Sequence, residues 1–341
     1  MCRFISIVIC FLLISSQSFA WWPWHKPTPT RTPTPKPTAT PIRTITPTPI
    51  STVVLTATPT VTPSTVTATY FVSASPWNTK ISSGTLIQTN SQDIINFSVG
   101  TTYRAIYLSM TDYSVPIYFA NSTTPLYTVP IGQPSWCPGF PTAVPIPDSA
   151  RPASGTDGHM TVVDLSNHYS YDFYQAVKTT TGWKTTTGIR WNISGLGYNT
   201  PWTGACRAAG TPLLGGIITY NEMKQNLIPH ALAMSLPILR NSPAMVSPPA
   251  AAAQSGSTDI RSITIGSRVQ LNPQYNISSL SAKAQVIARA LQDYGAYIVD
   301  GSQTPVIYLE DLQYDTIRSW SGIVSNTSIT VIPIGQLNVL K

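Results

Sequence analysis

Asp157 and His159 flank Gly158 in the run Ser154-Gly155-Thr156-Asp157-Gly158-His159-Met160, in a chain with only 13 Asp/Glu and 4 His. On extended backbone, positions two apart share a face. A carboxylate beside an imidazole makes an oriented base, a proton donor or two ligands for a metal. The structural counterpart is a turn aspartate followed by a hydrogen-bonded core histidine. Asp172 lies among aromatics in Tyr169-Ser170-Tyr171-Asp172-Phe173-Tyr174. Tyr171 and Tyr174 beside a carboxylate would suit a sugar, stacking on its ring and bonding its hydroxyls; they suit a β core equally. Glu222 follows Gly215-Gly216-Ile217-Ile218-Thr219-Tyr220, and His230 opens the apolar Ala231–Leu236 segment.

Three chemistries are open to these residues. His159 and His230, with Asp157 or Glu222, would hold a divalent metal if strand pairing brings them together; no motif implies any other cofactor. Without metal, Glu222 with Asp157 or Asp172 would form the two carboxylates of a glycosidase. In a polysaccharide lyase, His230 and a tyrosine would move the proton, and Arg207 or Arg268 would neutralise a uronate. The chain has no Gly-x-Ser-x-Gly elbow, no phosphate-cradling glycine loop and no His-Glu-x-x-His. Asp157-Gly158 is not followed by the further acids of an EF-hand.

The elements that must position these residues are mostly strands. From Tyr70 onward the chain is rich in Thr, Ser, Val, Ile, Tyr and Trp, with frequent Gly and Pro turns. Candidate strands are 103–110, 115–119, 160–164, 169–176, 188–193, 215–219, 230–236, 267–271, 296–299, 306–308 and 328–332. Their spacing predicts a mainly β, sandwich- or jelly-roll-like single domain over 70–341. One amphipathic helix is predicted over about 279–294, with Val286, Ile287, Ala290, Leu291 and Tyr294 on one face. A short helical turn is expected over 221–226, with Glu222 near its N-terminal end.

Arg3, the apolar Phe4–Ile14 stretch and Ser18-Phe19-Ala20 have the layout of a cleavable secretory signal over 1–20. That stretch is shorter than the roughly 20 residues a membrane helix needs, and no later segment is long and apolar enough to be one. Residues 21–69 alternate Thr and Pro, which forbids helix and ladder alike, so an extended stalk is expected. Such a composition also fits O-glycosylation. A secreted or cell-surface location follows from the two segments together. The formal charge is +7, but from Tyr70 onward 15 Lys/Arg face 13 Asp/Glu, a net of +2. The folded part is nearly neutral and has no basic patch, so nucleic acid is not an expected partner; a monomer is expected. Cleavage after Ala20 would remove Cys2 and Cys10. Cys137 and Cys206 would then pair in an oxidising compartment, closing a loop of about 70 residues.

Several blocks together resemble a family of secreted bacterial proteins of undefined role. They are Ser75-Pro76-Trp77-Asn78, Asp157-Gly158-His159-Met160, Tyr171-Asp172-Phe173, Gly210-Thr211-Pro212-Leu213-Leu214-Gly215-Gly216, Ile228-Pro229-His230-Ala231-Leu232, Gly266-Ser267-Arg268 and Tyr294-Gly295-Ala296-Tyr297-Ile298-Val299-Asp300. The resemblance covers about residues 75–310, and Thr211 stands where the family pattern has Leu. It implies an outer module of a carbohydrate-active secretome. The leading expectation is therefore a glycoside hydrolase or polysaccharide lyase acting on an extracellular polysaccharide. The alternative is a non-catalytic glycan-binding or surface-display domain. An enzyme requires Asp157, His159, Glu222 and His230 to converge in one cleft, within about 10 Å of one another.

Overall fold

A computed structural model describes residues 69–199, 204 and 206–341. The expected signal segment, and all of the stalk except Thr69, lie outside the described residues. Among the described residues strand outweighs helix at 25% against 12%, with several sheets and no barrel, so the mainly β expectation holds. In chain order the first strands are β1 (Tyr107–Ser109), β2 (Ile117–Ala120), β3 (Leu126–Tyr127), β4 (Val144–Pro145), β5 (Met160–Asp164), β6 (Tyr169–Tyr174) and β7 (Val177–Lys178). They continue with β8 (Trp183–Lys184), β9 (Thr187–Asn192), β10 (Leu232–Leu236), β11 (Arg268–Leu271), β12 (Ala296–Gly301), β13 (Val306–Tyr308) and β14 (Leu337–Val339). The helices are α1 (Ser91–Ser98), α2 (Tyr220–Gln225) and α3 (Ala282–Asp293).

The larger sheet has six strands in the order β1-β13-β10-β12-β11-β14, and the smaller has four in the order β2-β5-β6-β9. Pairing is mixed. β1 with β13, β10 with β12 and β2 with β5 are parallel, and the remaining neighbours are antiparallel. Parallel strands are covered on both faces and read as continuous apolar runs. Leu232–Leu236 is buried at every position and Ala296–Val299 likewise. The smaller sheet is also covered on both sides. Met160, Val162, Tyr171 and Phe173 pack into one apolar cluster, while Val163, Ile189 and Trp191 belong to the main core.

The expected helix is α3. The Ser281 hydroxyl accepts from Ala284 N at its start, and Ala284, Ile287, Ala288, Ala290 and Leu291 are buried. Beyond its end, Gly295 N donates to Ala290 O. The short helical turn is α2, shifted by one residue. α1 was not anticipated: its single turn pair of buried Ile94 and Ile95 is too weak a periodic signal. Two expected strands are loops. Gly216 has φ +75° and a Cβ there would lie 2.3 Å from Ala233 N, so the 215–219 segment turns tightly instead of extending. Residues 328–332 form successive turns, with Ser328 N, Thr330 N and Ile332 N each bonded three residues back. Among the described residues, no helix is long and apolar enough to cross a membrane.

Candidate active site

A cavity of about 530 Å³ opens where β5, β6, β9 and β12 end, and Asp157, His159, Tyr174, Arg207, Asp300 and Trp136 line it. Asp157 and His159 reach it from the loop that enters β5. Gly158 has φ +45°, and the loop is pinned to the end of β6 by Gln175 N to Asp157 O (2.7 Å) and Ala176 N to Gly158 O (3.1 Å). The shared orientation anticipated for extended backbone thus comes from a glycine turn. Asp300 arrives on β12 through a register shift: Met234 faces Ile298, but Ser235 faces Asp300. Such a bulge re-aims the side chains after it. Asp300 Oδ1 accepts from Gly301 N at 2.8 Å, and Oδ2 from Ala208 N at 3.4 Å.

The protonation states follow from burial and neighbours. His159 Nε2 donates to Cys206 O at 2.7 Å, which leaves Nδ1 as the acceptor nitrogen of a neutral ring. Burial, and then the Arg207 charge, push its pKa down to about 4. Burial raises Asp157. It also raises Asp300 to about 6, against Gly301 N, Arg207 and Ala208 N, while the Asp157 charge adds to the rise. Burial raises Tyr174 as well, followed by the charges of Asp157 and Asp300, and its ring centroid lies 5.6 Å from that of His159. Arg207 is a buried brace. Its guanidinium donates to Gly215 O (3.1 Å), Pro212 O (3.3 Å) and Leu213 O (3.4 Å), and sits 5.1 Å over the Tyr308 ring.

The chain matches no family model, no curated protein and no solved structure. The site is therefore read from its own geometry.

The four residues expected to converge divide into two pairs. Glu222 and His230 line a different cavity, of about 10 Å³, with room for little more than a water. There His230 Nε2 lies 2.8 Å from Glu222 Oε1, and Nδ1 donates to Ala231 O at 2.9 Å. Glu222 Oε2 accepts from Thr219 N at 2.8 Å, and Glu222 N donates to the Thr219 hydroxyl in return, a capping box for α2. The expected metal set of Asp157, His159 and His230 is divided in the same way. Among the described residues, no group of three or more His, Cys, Asp or Glu is placed to hold a metal ion.

Asp172 does not line the large cavity. It is fully buried, accepting from the hydroxyl of its cross-strand partner Thr161 (2.6 Å) and from Leu213 N (2.7 Å). Tyr171 is in the apolar cluster of the smaller sheet. Arg268 donates to Tyr294 O at 2.8 Å and to Thr79 O, and lies over the Tyr297 ring at 5.1 Å. The two cysteines are buried free thiols here. Cys137 Sγ accepts from Gly188 N (3.1 Å), and Cys206 Sγ donates towards Asp172 O (3.3 Å) and Thr187 O (3.5 Å), so they lie against consecutive residues of β9.

Asp300 and Trp136 are the site residues that sequence reasoning passed over. Asp300 ends the apolar run Ala296–Val299 with one of the chain's few carboxylates, a signal that was available. Trp136 is 54% exposed at the cavity wall, and nothing in its local sequence marks it.

Proposed function

We propose that the chain is a secreted glycoside hydrolase acting on an extracellular polymeric glycan, with Asp300 and Asp157 as its two working carboxyls. One observation carries this reading: two carboxyls, both shifted upward, share a 530 Å³ cavity with a neutral histidine, a tyrosine and an exposed tryptophan. Asp300, near pKa 6, is the proton donor to the glycosidic oxygen. Asp157 is the ionised partner that either activates water or attacks the anomeric carbon. His159 Nδ1 accepts a sugar hydroxyl, and Trp136 offers a face for the ring. Arg207, committed to backbone carbonyls, holds the cavity floor and supplies positive charge beneath the carboxyls.

The lyase reading is the weaker of the two. His230, the expected lyase base, is held by Glu222 and Ala231 O in the other cavity, and His159, held near pKa 4, is a poor base at neutral pH; Arg207 and Arg268 already serve backbone carbonyls. The stalk composition supports export and tethering of the domain. The contacts of both thiols with Thr187 and Gly188 support a Cys137–Cys206 pairing once the chain is oxidised.

The test is a screen of the purified protein against neutral and uronic-acid polysaccharides, reading new reducing ends and unsaturated products, with and without chelator. Reducing ends that vanish in Asp157→Asn and Asp300→Asn are the expected result. Unsaturated product would make the protein a lyase. Glycan retention without product, unchanged in both variants, would make it a binding module.

A further inference from the structure

Gln254 also lines the cavity that Asp157 and Asp300 share, together with Ala208, Ala252 and Ala253. The segment that carries it is held through its backbone. Ala251 N (2.8 Å) and Ala252 N (3.1 Å) both donate to Ala209 O, and Ser242 N donates to Gln254 O (2.8 Å). The Gln254 side chain lies against the last residue of β12, where a Cβ on Gly301 would be 3.1 Å from its Nε2. Gly301 N in turn donates to Asp300 Oδ1 at 2.8 Å, so the amide sits beside the carboxyl assigned as proton donor. Gln254 is half-buried, and among the described residues no hydrogen bond engages its amide. One donor group and one acceptor are therefore open to a ligand.

The alanines gather at the same end of the cavity. Ala208 N reaches Asp300 Oδ2 at 3.4 Å, and its neighbour Ala209 holds residues 251 and 252. The group that fits here is neutral. A carboxylate would face Asp157 and Asp300, and an ammonium would face the buried Arg207 guanidinium that lines the same cavity. Either charge would also lose hydration against three methyl groups. An acetamido group meets every demand: its N–H suits the Gln254 side-chain oxygen, its carbonyl suits Nε2, and its methyl suits the alanines. Reach fixes its place on the sugar. Asp300 serves the glycosidic oxygen on the anomeric carbon, and the ring carbon bonded to the anomeric carbon is C2.

We propose that this cavity is specific for a glycan of 2-acetamido sugars, with Gln254 bonding the acetamido group and Ala208, Ala252 and Ala253 covering its methyl. This deepens the hydrolase reading and rests on it for the placing of a sugar at Asp300. A site built to hydrogen-bond a substrate N–H discriminates strongly against the analogue that lacks it, because its own polar atoms are then left unpaired.

Isothermal titration of the full chain with β-1,4 tetramers of N-acetylglucosamine, glucosamine and glucose tests this, with N-acetylgalactosamine and galactose as an epimeric pair. The acetylated sugar of each set should bind at least tenfold tighter than its amine or hydroxyl counterpart. Gln254→Leu should reduce that preference at least tenfold. Ala252→Val, which narrows the space for the methyl, should reduce it severalfold. The preference is a ratio of affinities within one protein, so partial loss of folded material does not alter it. Equal binding of acetylated and hydroxyl sugars, or a preference that both variants keep, overturns the proposal. A preference that depends on Gln254, with no new reducing ends from any acetylated glycan, would sink the hydrolase reading alone. Cleavage of an unacetylated glycan that depends on Asp157 and Asp300, with no preference for acetylated sugars, would sink the acetamido assignment alone.

Discussion

His230 Nε2 and Glu222 Oε1 lie 2.8 Å apart with both side chains nearly buried, and the other oxygen of the same carboxylate caps α2. Because His230 Nδ1 also donates to a carbonyl, the ring is a cation locked between two acceptors. This is a structural clamp. Glu222→Ala should therefore cost about 3–5 kcal/mol in chemical denaturation by stranding a buried charge. Residual folded protein should keep the glycan cleavage proposed for the Asp157–Asp300 cavity.

The clamp also gives a pH dependence. Burial works against the His230 charge, but the Glu222 carboxylate and its hydrogen bond outweigh it and hold the pKa above the ordinary value. A base with a raised folded pKa stabilises fully below the unfolded value of about 6.5 and loses that contribution as pH rises through the folded value. Wild-type stability should fall on the alkaline side more steeply than that of His230→Gln. Parallel stability–pH curves for the two proteins would refute a charged His230.

At the proposed catalytic pair, activity should decline as pH rises through about 6, where Asp300 loses its proton. On the acid side it should decline as Asp157, shifted upward, becomes protonated. Asp300→Asn should lower kcat by about 10²–10⁴-fold and remove the alkaline limb for a substrate with a good leaving group. A limb that persists in Asp300→Asn would assign the titration elsewhere.

Asp172 joins two parts of the fold, accepting from Thr161 on β5 and from Leu213 in the loop that carries the Arg207 acceptors. Asp172→Ala would leave a buried hydroxyl and a buried amide without acceptors. A loss of about 2–4 kcal/mol is expected from two such groups, measured by urea denaturation. An unchanged midpoint would mean that water replaces the carboxylate.

Protein purified under oxidising conditions should show Cys137 and Cys206 protected from alkylation after denaturation and released by reductant, as judged by intact mass. Reduction should lower the urea midpoint, since about 70 residues of loop would be freed at a cost on the order of 4 kcal/mol. Two alkylated cysteines without reductant would show that the thiols stay free.

Composition and periodicity were enough to read the mainly β class, the single domain, most strands and α3, because each rests on local signals: alternation, apolar runs, a serine cap and a glycine stop. The grouping of Asp157 with His159 was legible too, since two residues separated by one glycine have few ways to part. Much of the resembling block turns out to be packing. Trp77 is buried against Gly215 and Gly216, and Glu222, His230 and Asp172 spend their polar atoms on backbone, on threonine hydroxyls and, for Glu222 and His230, on each other. Chain order could not reveal this, because partner choice for a buried polar group depends on strand pairing and on which loops return beside it. The arrival of Asp300 in the cavity that Asp157 lines follows a one-residue register shift in a parallel pair distant in sequence. Local side-chain patterns carry helices and strands; the meeting of two carboxyls in one cavity is a long-range property, which only the tertiary structure decides.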